Sequence, residues 1–222
     1  MNKSKTLLVS VALAAITASA QAVTFNTVTA PFTGDSGAIP GGQSVGHRFD
    51  VTGAGIYVSS LAFVSSSGGA LNAGTSAQIG IYSYTGPLYS GSFSASPVVG
   101  ATATITSSSA VSGNYAWESL GSSVFLAPGS YGLLATSVTL AGGDLIGTDF
   151  NTDGLPTFTT GQSVVATPLL GDAVGGSLAS PSISLRRFKI ANFEFTPVPE
   201  PETYAMIAGL GLVGFGLWRK RQ

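Results

Sequence analysis

The chain has no cysteine, one histidine and little charge: Asp, Glu, Lys and Arg make up 9% of its 222 residues, against about 25% in an ordinary soluble domain. Without cysteine there is no disulfide framework, no thiol nucleophile and no thiolate metal centre. That absence does not argue against export, since many bacterial envelope proteins fold without disulfides. A Ser-His-Asp site would have to use His47, and no Gly-x-Ser-x-Gly elbow supplies a nucleophile. His47 alternates with Val45, Phe49 and Val51, which reads as a core or sheet-edge position. One histidine also leaves too few ligands for a transition-metal centre. Basic residues are scarce where nucleic acid would need them. Between Val23 and Pro197 there are four (Arg48, Arg186, Arg187, Lys189) against eight acidic residues (Asp35, Asp50, Glu118, Asp144, Asp149, Asp153, Asp172, Glu194). A mildly acidic body is no partner for a phosphate backbone.

The body also lacks any apolar stripe of period 3.6. What it has is alternation of period two, punctuated by turn residues and drawn from a chain with 30 glycines. In 45–51, "VGHRFDV", Val45, His47, Phe49 and Val51 share one face, and Gly46, Arg48 and Asp50 the other. "IYVSSLAFV" (56–64) follows a Gly-rich turn. "AQIGIYSY" (77–84) sets Ile79 and Ile81 against Tyr82 and Tyr84, and "VVGATATI" (98–105) groups Val99, Ala101, Ala103 and Ile105. "SSVFL" (122–126) and "YGLLATSV" (131–138) flank the turn Ala127-Pro128-Gly129-Ser130, and "RFKIANFEF" (187–195) is the last strand. Eight to ten strands are expected. The economical all-β arrangement is an antiparallel two-sheet sandwich, with a closed barrel as the alternative. Residues 65–76 and 171–182 are low-complexity loops, and 142–161 is a long polar loop.

Both ends differ from the body. Residues 1–22, "MNKSKTLLVSVALAAITASAQA", place Lys3 and Lys5 before an apolar run from Leu7 to Ile16, then end in Ala20-Gln21-Ala22. Positive region, short apolar run and small-x-small site occur in the order of an export signal, with the mature chain starting near Val23. At the other end, Pro197, Pro199 and Pro201 stiffen the approach to an uncharged run, Tyr204 to Trp218, followed by Arg219, Lys220 and Arg221. Fifteen residues make about 22 Å of helix, short of the ~30 Å hydrocarbon core. Trp218 suits the interface, the three basic residues form a membrane stop, and the body is left outside the cytoplasm. Gly209, Gly211, Gly214 and Gly216 open the helix to close approach by another.

The combination of Pro199-Glu200-Pro201, Glu202-Thr203-Tyr204-Ala205, a Gly-rich apolar helix and the terminal Arg-Lys-Arg resembles the PEP-CTERM sorting signal of Gram-negative bacteria. The resemblance implies an exosortase as partner, an integral-membrane, transpeptidase-like enzyme that cuts near the triplet and discards the helix. It implies a host that makes exopolysaccharide, with the mature protein at the cell surface or in the biofilm matrix. The competing reading is an uncut tail anchor. The order "GHRFDV…VSSLAF…AQIGIYSYTGPLYSGSF…FLAPGSYGLLAT", over about Gly46 to Thr136, is similar to the β-sandwich bodies common among PEP-CTERM proteins. That likeness implies a jelly-roll-like fold and carries no catalytic residues.

Two clusters are candidates for binding. Asp149-Phe150-Asn151-Thr152-Asp153-Gly154 matches the first half of a calcium loop, but Thr160 stands where the bidentate Glu belongs and no flanking helices are predicted. As a calcium site its ligands are Asp149, Asn151 and Asp153, joined by Asp144; without metal the same residues form an Asx turn. Tyr82, Tyr84 and Tyr89, with Trp117, are candidates for an aromatic platform under sugar rings, against ordinary packing on a sheet. Eight acids in the body make a chance carboxylate pair unavoidable, so that pattern carries no glycosidase signal.

The expected organisation is therefore a signal peptide at 1–22, a β-sandwich at 23–196 and the sorting signal at 197–222, whose short transmembrane helix holds the precursor transiently in the inner membrane through 204–218. The expected function is that of an exosortase-sorted surface or matrix protein with a non-catalytic body, no cofactor and no nucleic-acid partner. A carbohydrate-binding module, calcium-assisted or not, is the alternative, and a polysaccharide-active enzyme the third reading.

Overall fold

The computed structural model describes residues 22–24, 34–35, 44–63, 70–86, 91–113, 115–142, 146–147, 164–166, 191–199 and 201–220. The strands are β1 (Val23–Thr24), β2 (Gly34–Asp35), β3 (Val45–Val51), β4 (Ile56–Phe63), β5 (Ser76–Thr85), β6 (Ser92–Phe93), β7 (Thr102–Thr106), β8 (Ala110–Ser112), β9 (Tyr115–Leu126), β10 (Gly129–Thr139), β11 (Ile146–Gly147), β12 (Val164–Ala166) and β13 (Ala191–Pro197). The one helix among the described residues is α1 (Pro201–Lys220). The export signal at 1–22 lies outside the described residues except for Ala22.

The strands form two main antiparallel sheets. One runs β1-β13-β4-β9-β8; the other runs β12-β3-β10-β5-β6, with β7 also on β5; β11 and β2 pair separately. Single alternating faces of both main sheets meet in one core. Phe49 from β3, Ile79 and Ile81 from β5, and Leu133 from β10 join Ile56, Leu61 and Phe63 from β4 and Phe193 and Phe195 from β13, all at 0% exposure. The rings of Phe49 and Phe193 lie 4.9 Å apart and tie one sheet to the other. Each such buried side chain contributes about 1.5–3 kcal/mol relative to exposure.

Several sequence neighbours sit in different sheets. The short turn Ala127–Pro128 links β9 of the first sheet to β10 of the second, so the expected strand-turn-strand is present but its strands do not pair with each other. The link from β3 to β4 crosses between the sheets in the same way. Strict alternation also fails at two places. Ile56 and Val58 enter the core, a register shift falls between Val58 and Ser60, and Leu61 and Phe63 then enter it too. One extra residue reverses the facing of everything after it, so the bulge keeps both halves of β4 apolar-side in. The shift between Ala135 and Ser137 does the same for β10, taking the core face from Leu133 and Ala135 to Val138.

Val99 departs from expectation. The strand begins only at Thr102, and Val99 is 93% exposed in a turn closed by the Ala101 N–H donating to the Val98 carbonyl at 2.9 Å. Ala101 and Ile105 are buried as their alternation requires.

Candidate functional site at the C-terminal junction

The last strand leads directly into the C-terminal segment. Phe193 and Phe195 are driven into the core by their apolar rings, which fixes β13 between β1 and β4. Its pairing with β4 continues through Thr196 opposite Tyr57 and Pro197 opposite Ile56. Proline ends the ladder because it has no N–H to give. One bond follows: the Val198 N–H donates to the Gly55 carbonyl at 3.0 Å. Helix α1 starts at Pro201, a favourable first position because a first-turn N–H has no helical partner. Pro199 and Glu200 are all that separate the last bond to the body from the helix, and Glu200 itself lies outside the described residues.

Helix α1 is apolar around its whole circumference. Met206, Leu210, Leu212, Val213, Phe215 and Leu217 are all exposed, and Gly209, Gly211, Gly214 and Gly216 face open space. A helix that is hydrophobic all round belongs in an apolar surround. Trp218 packs on Phe215 at a ring distance of 5.7 Å, and Arg219 and Lys220 close the last turn, where cations complement the helix dipole. Arg221 lies outside the described residues. No helix among the described residues is long and apolar enough to cross a membrane. Although α1 has 20 residues, only the fifteen from Tyr204 to Trp218 are uncharged, and four of these are glycine.

The proposed aromatic platform is not assembled. Tyr82 and Tyr84 do lie on the opposite face of β5 from Ile79 and Ile81, but they are 6% and 7% exposed, in a small second cluster with Phe93 and Leu134. The segment 91–101 covers them. It runs along the edge of β5 through bonds from the Ser94 N–H to the Ser83 carbonyl (2.8 Å) and from the Val98 N–H to the Ile81 carbonyl (2.7 Å). The Tyr84 hydroxyl accepts from the Gly91 N–H at 3.1 Å, and the Phe93 ring lies 5.0 Å from that of Tyr84. Phe93 fits there because the neighbouring strand carries Gly132, where a Cβ would come within 2.2 Å of Phe93 Cε1. Trp117 is in the other sheet, packed against the main core, with its Nε1 donating to the Ser112 carbonyl at 3.1 Å. Tyr89 lies outside the described residues, as do Asp144, Asp149, Asn151 and Asp153 of the proposed calcium loop. Among the described residues no three His, Cys, Asp or Glu gather as a metal site. His47 lies opposite Leu133 in the β3–β10 ladder, its side chain outside what is described.

A polar cluster beside Tyr84 escaped the motif search. Arg48 Nη2 donates to Ser130 Oγ at 3.0 Å and to Asp50 Oδ1 at 3.3 Å, Ser130 Oγ donates to Asp50 Oδ1 at 2.5 Å, and the guanidinium stacks on the Tyr84 ring at 4.6 Å. Arg48 Nε and Nη1 are buried with no hydrogen-bond partner among the described residues. Arg48 and Asp50 on one face of β3 were visible in the alternation; Ser130 arrives from β10, opposite Asp50. The cluster fastens β3 to β10 and holds no nucleophile–base pair.

Compared with known protein families, the chain matches the PEP-CTERM protein-sorting motif over residues 197–221. No curated protein and no solved structure matches the chain. The matched segment starts at the last residue of β13. The motif makes the chain an exosortase substrate and implies export, a membrane-anchored precursor and processing to the surface.

Proposed function

We propose that the chain is the precursor of a cell-surface or extracellular-matrix protein whose β-sandwich body is non-catalytic, needs no cofactor and associates with exopolysaccharide in a biofilm. An N-terminal signal peptide exports it, the short helix at 204–218 spans the inner membrane for a time, and an exosortase removes that helix. The observation that carries this reading is the coincidence at Pro197, where the last body strand ends and the sorting motif begins. Everything the body needs lies before the cut region, and everything after it is an exposed apolar helix with a basic end. The two residues between the Val198 bond and α1 follow a proline-stiffened, extended strand end, the form in which a protease takes its substrate. The single histidine and the absence of cysteine support a body without nucleophilic chemistry.

The sorting part is tested with one tag after Val23 and another after Gln222 in the native host. The mature surface protein should keep the first and lose the second; a surface protein that keeps both is an uncut anchor. The matrix part is tested by incubating that mature protein with exopolysaccharide from the same host. Failure to co-sediment with it would remove the matrix association and leave the sorting untouched.

A further inference from the structure

Most large apolar side chains of the two-sheet body are covered. Tyr57 of β4 and Phe125 of β9 are not: they are 46% and 47% exposed. They are direct partners across the ladder on the outer face of their sheet, with ring centroids 5.3 Å apart. Their position bears on the sorting junction. Tyr57 faces Thr196 on its other side, and the Phe125 ring leans over Gly55, so that a Cβ there would lie 2.7 Å from Phe125 Cε2. Gly55 is also the residue whose carbonyl holds Val198. The pair therefore sits beside the point where the chain leaves the body.

The path from that point to the helix is short. Val198 to Pro201 is three residues, at most about 10 Å of extended chain. The apolar part of α1 is shorter than the hydrocarbon core, at about 22 Å against about 30 Å. A short span draws its flanks toward the headgroups or thins the bilayer around it. Either response pulls the exit end of the body onto the membrane surface. A half-exposed tyrosine beside a phenylalanine is the chemistry that favours the boundary between headgroups and acyl chains.

We infer that the Tyr57–Phe125 pair is a membrane-interface contact that seats the body on the phospholipid surface while α1 anchors the precursor. This rests on the reading of α1 as the anchor. Seating fixes which face of the junction is turned toward a membrane-embedded protease, and it ends when the helix is cut away.

The absence of cysteine allows a direct test on the full chain. Thr52→Cys places a fluorophore in the exposed turn beside Gly55, and Ser107→Cys places one in the exposed turn at the far end of the sheets. Each labelled chain is reconstituted in phosphatidylethanolamine–phosphatidylglycerol vesicles that contain lipid with a nitroxide on its headgroup. Flotation of the chain with the vesicles reports the anchor independently. The expected result is flotation with several-fold stronger quenching at the Thr52 label than at the Ser107 label. Tyr57→Ser combined with Phe125→Ser should bring the two labels to similar quenching without loss of flotation. Tyr57→Trp alone should keep the difference, which separates a lost contact from a lost fold. Flotation with equal quenching overturns the seating and spares the anchor; no flotation overturns both. Quenching that survives the double substitution overturns the assignment to this pair, and quenching that appears only when exosortase is present assigns the surface to the enzyme instead.

Discussion

The junction predicts how much of the C-terminus the body can lose. If β13 completes the core and nothing beyond Val198 does, a chain from Val23 to Val198 should fold as the full chain does, whereas one ending at Ile190 should not. The magnitude follows from what β13 contributes. Phe193 and Phe195 are fully buried, and Phe193 packs on Phe49 across the two sheets. Removing a buried phenylalanine side chain costs about 3–5 kcal/mol, so the two together cost about 6–10 kcal/mol before the lost pairing with β4 is counted. Total stabilities are about 5–15 kcal/mol. The chain ending at Ile190 should therefore show no cooperative transition, while the chain ending at Val198 should keep one. At this size about 1 kcal/mol shifts Tm by about 2–4 °C, and the chain ending at Val198 should match the full chain within that margin. Thermal melting followed by circular dichroism, with limited proteolysis at room temperature, makes the comparison. A cooperative melt of the shorter chain at the full-length temperature would refute the role given to β13. Loss of the melt on cutting at Val198 would refute the independence of the body from α1.

Three further outcomes are expected from the packing. Gly132→Ala drives a methyl into the Phe93 ring and should cost about 1–3 kcal/mol. Phe93→Ala alone should cost about 3–5 kcal/mol. In urea denaturation the double variant should fall short of their sum by at least about 0.5 kcal/mol, because the smaller side chain removes the clash; strict additivity would contradict the cover over β5. Arg48→Met should change stability by less than about 1 kcal/mol, since a paired charge with two buried, unpartnered donors is replaced by an apolar side chain of similar reach; a loss of several kcal/mol would show that the cluster is a net stabiliser. Burial pushes the Tyr115 phenol far above its ordinary 10.0, and that of Tyr131 upward as well. The unfolded chain then releases these protons at lower pH than the folded one, so stability is intact below pH 10 and declines above it. The Tyr115 contribution is about 1.4 kcal/mol per pH unit, and Tyr115→Phe should flatten the alkaline limb of a pH titration of Tm.

The ends of the molecule were more legible than its surfaces, for a physical reason. A sorting signal acts as a local string, so Pro199 to Arg221 could be recognised without knowing what the rest of the chain does. Alternation is also local, and it assigned Phe49 and Val51, or Ile79 and Ile81, to the core correctly. It failed where one residue resets the count, at the register shifts in β4 and β10, and where a turn takes Val99 out of line. The tyrosines teach the most. Alternation placed Tyr82 and Tyr84 on the face away from the core, and they are there. A face turned from the core is open only if nothing returns to cover it. Here the covering depends on Gly132 in β10 leaving room for Phe93 from β6, an agreement between distant parts of the chain that no window of alternating residues contains. The same argument runs in reverse for Tyr57 and Phe125. Their exposure is equally non-local, because no strand returns over the outer face of β4 and β9 at that end, and what the sequence does place there is the exit to an apolar helix. A body whose apolar residues are otherwise covered, and which leaves its rings bare beside its own membrane anchor, has its surface arranged around the anchored stage of its life.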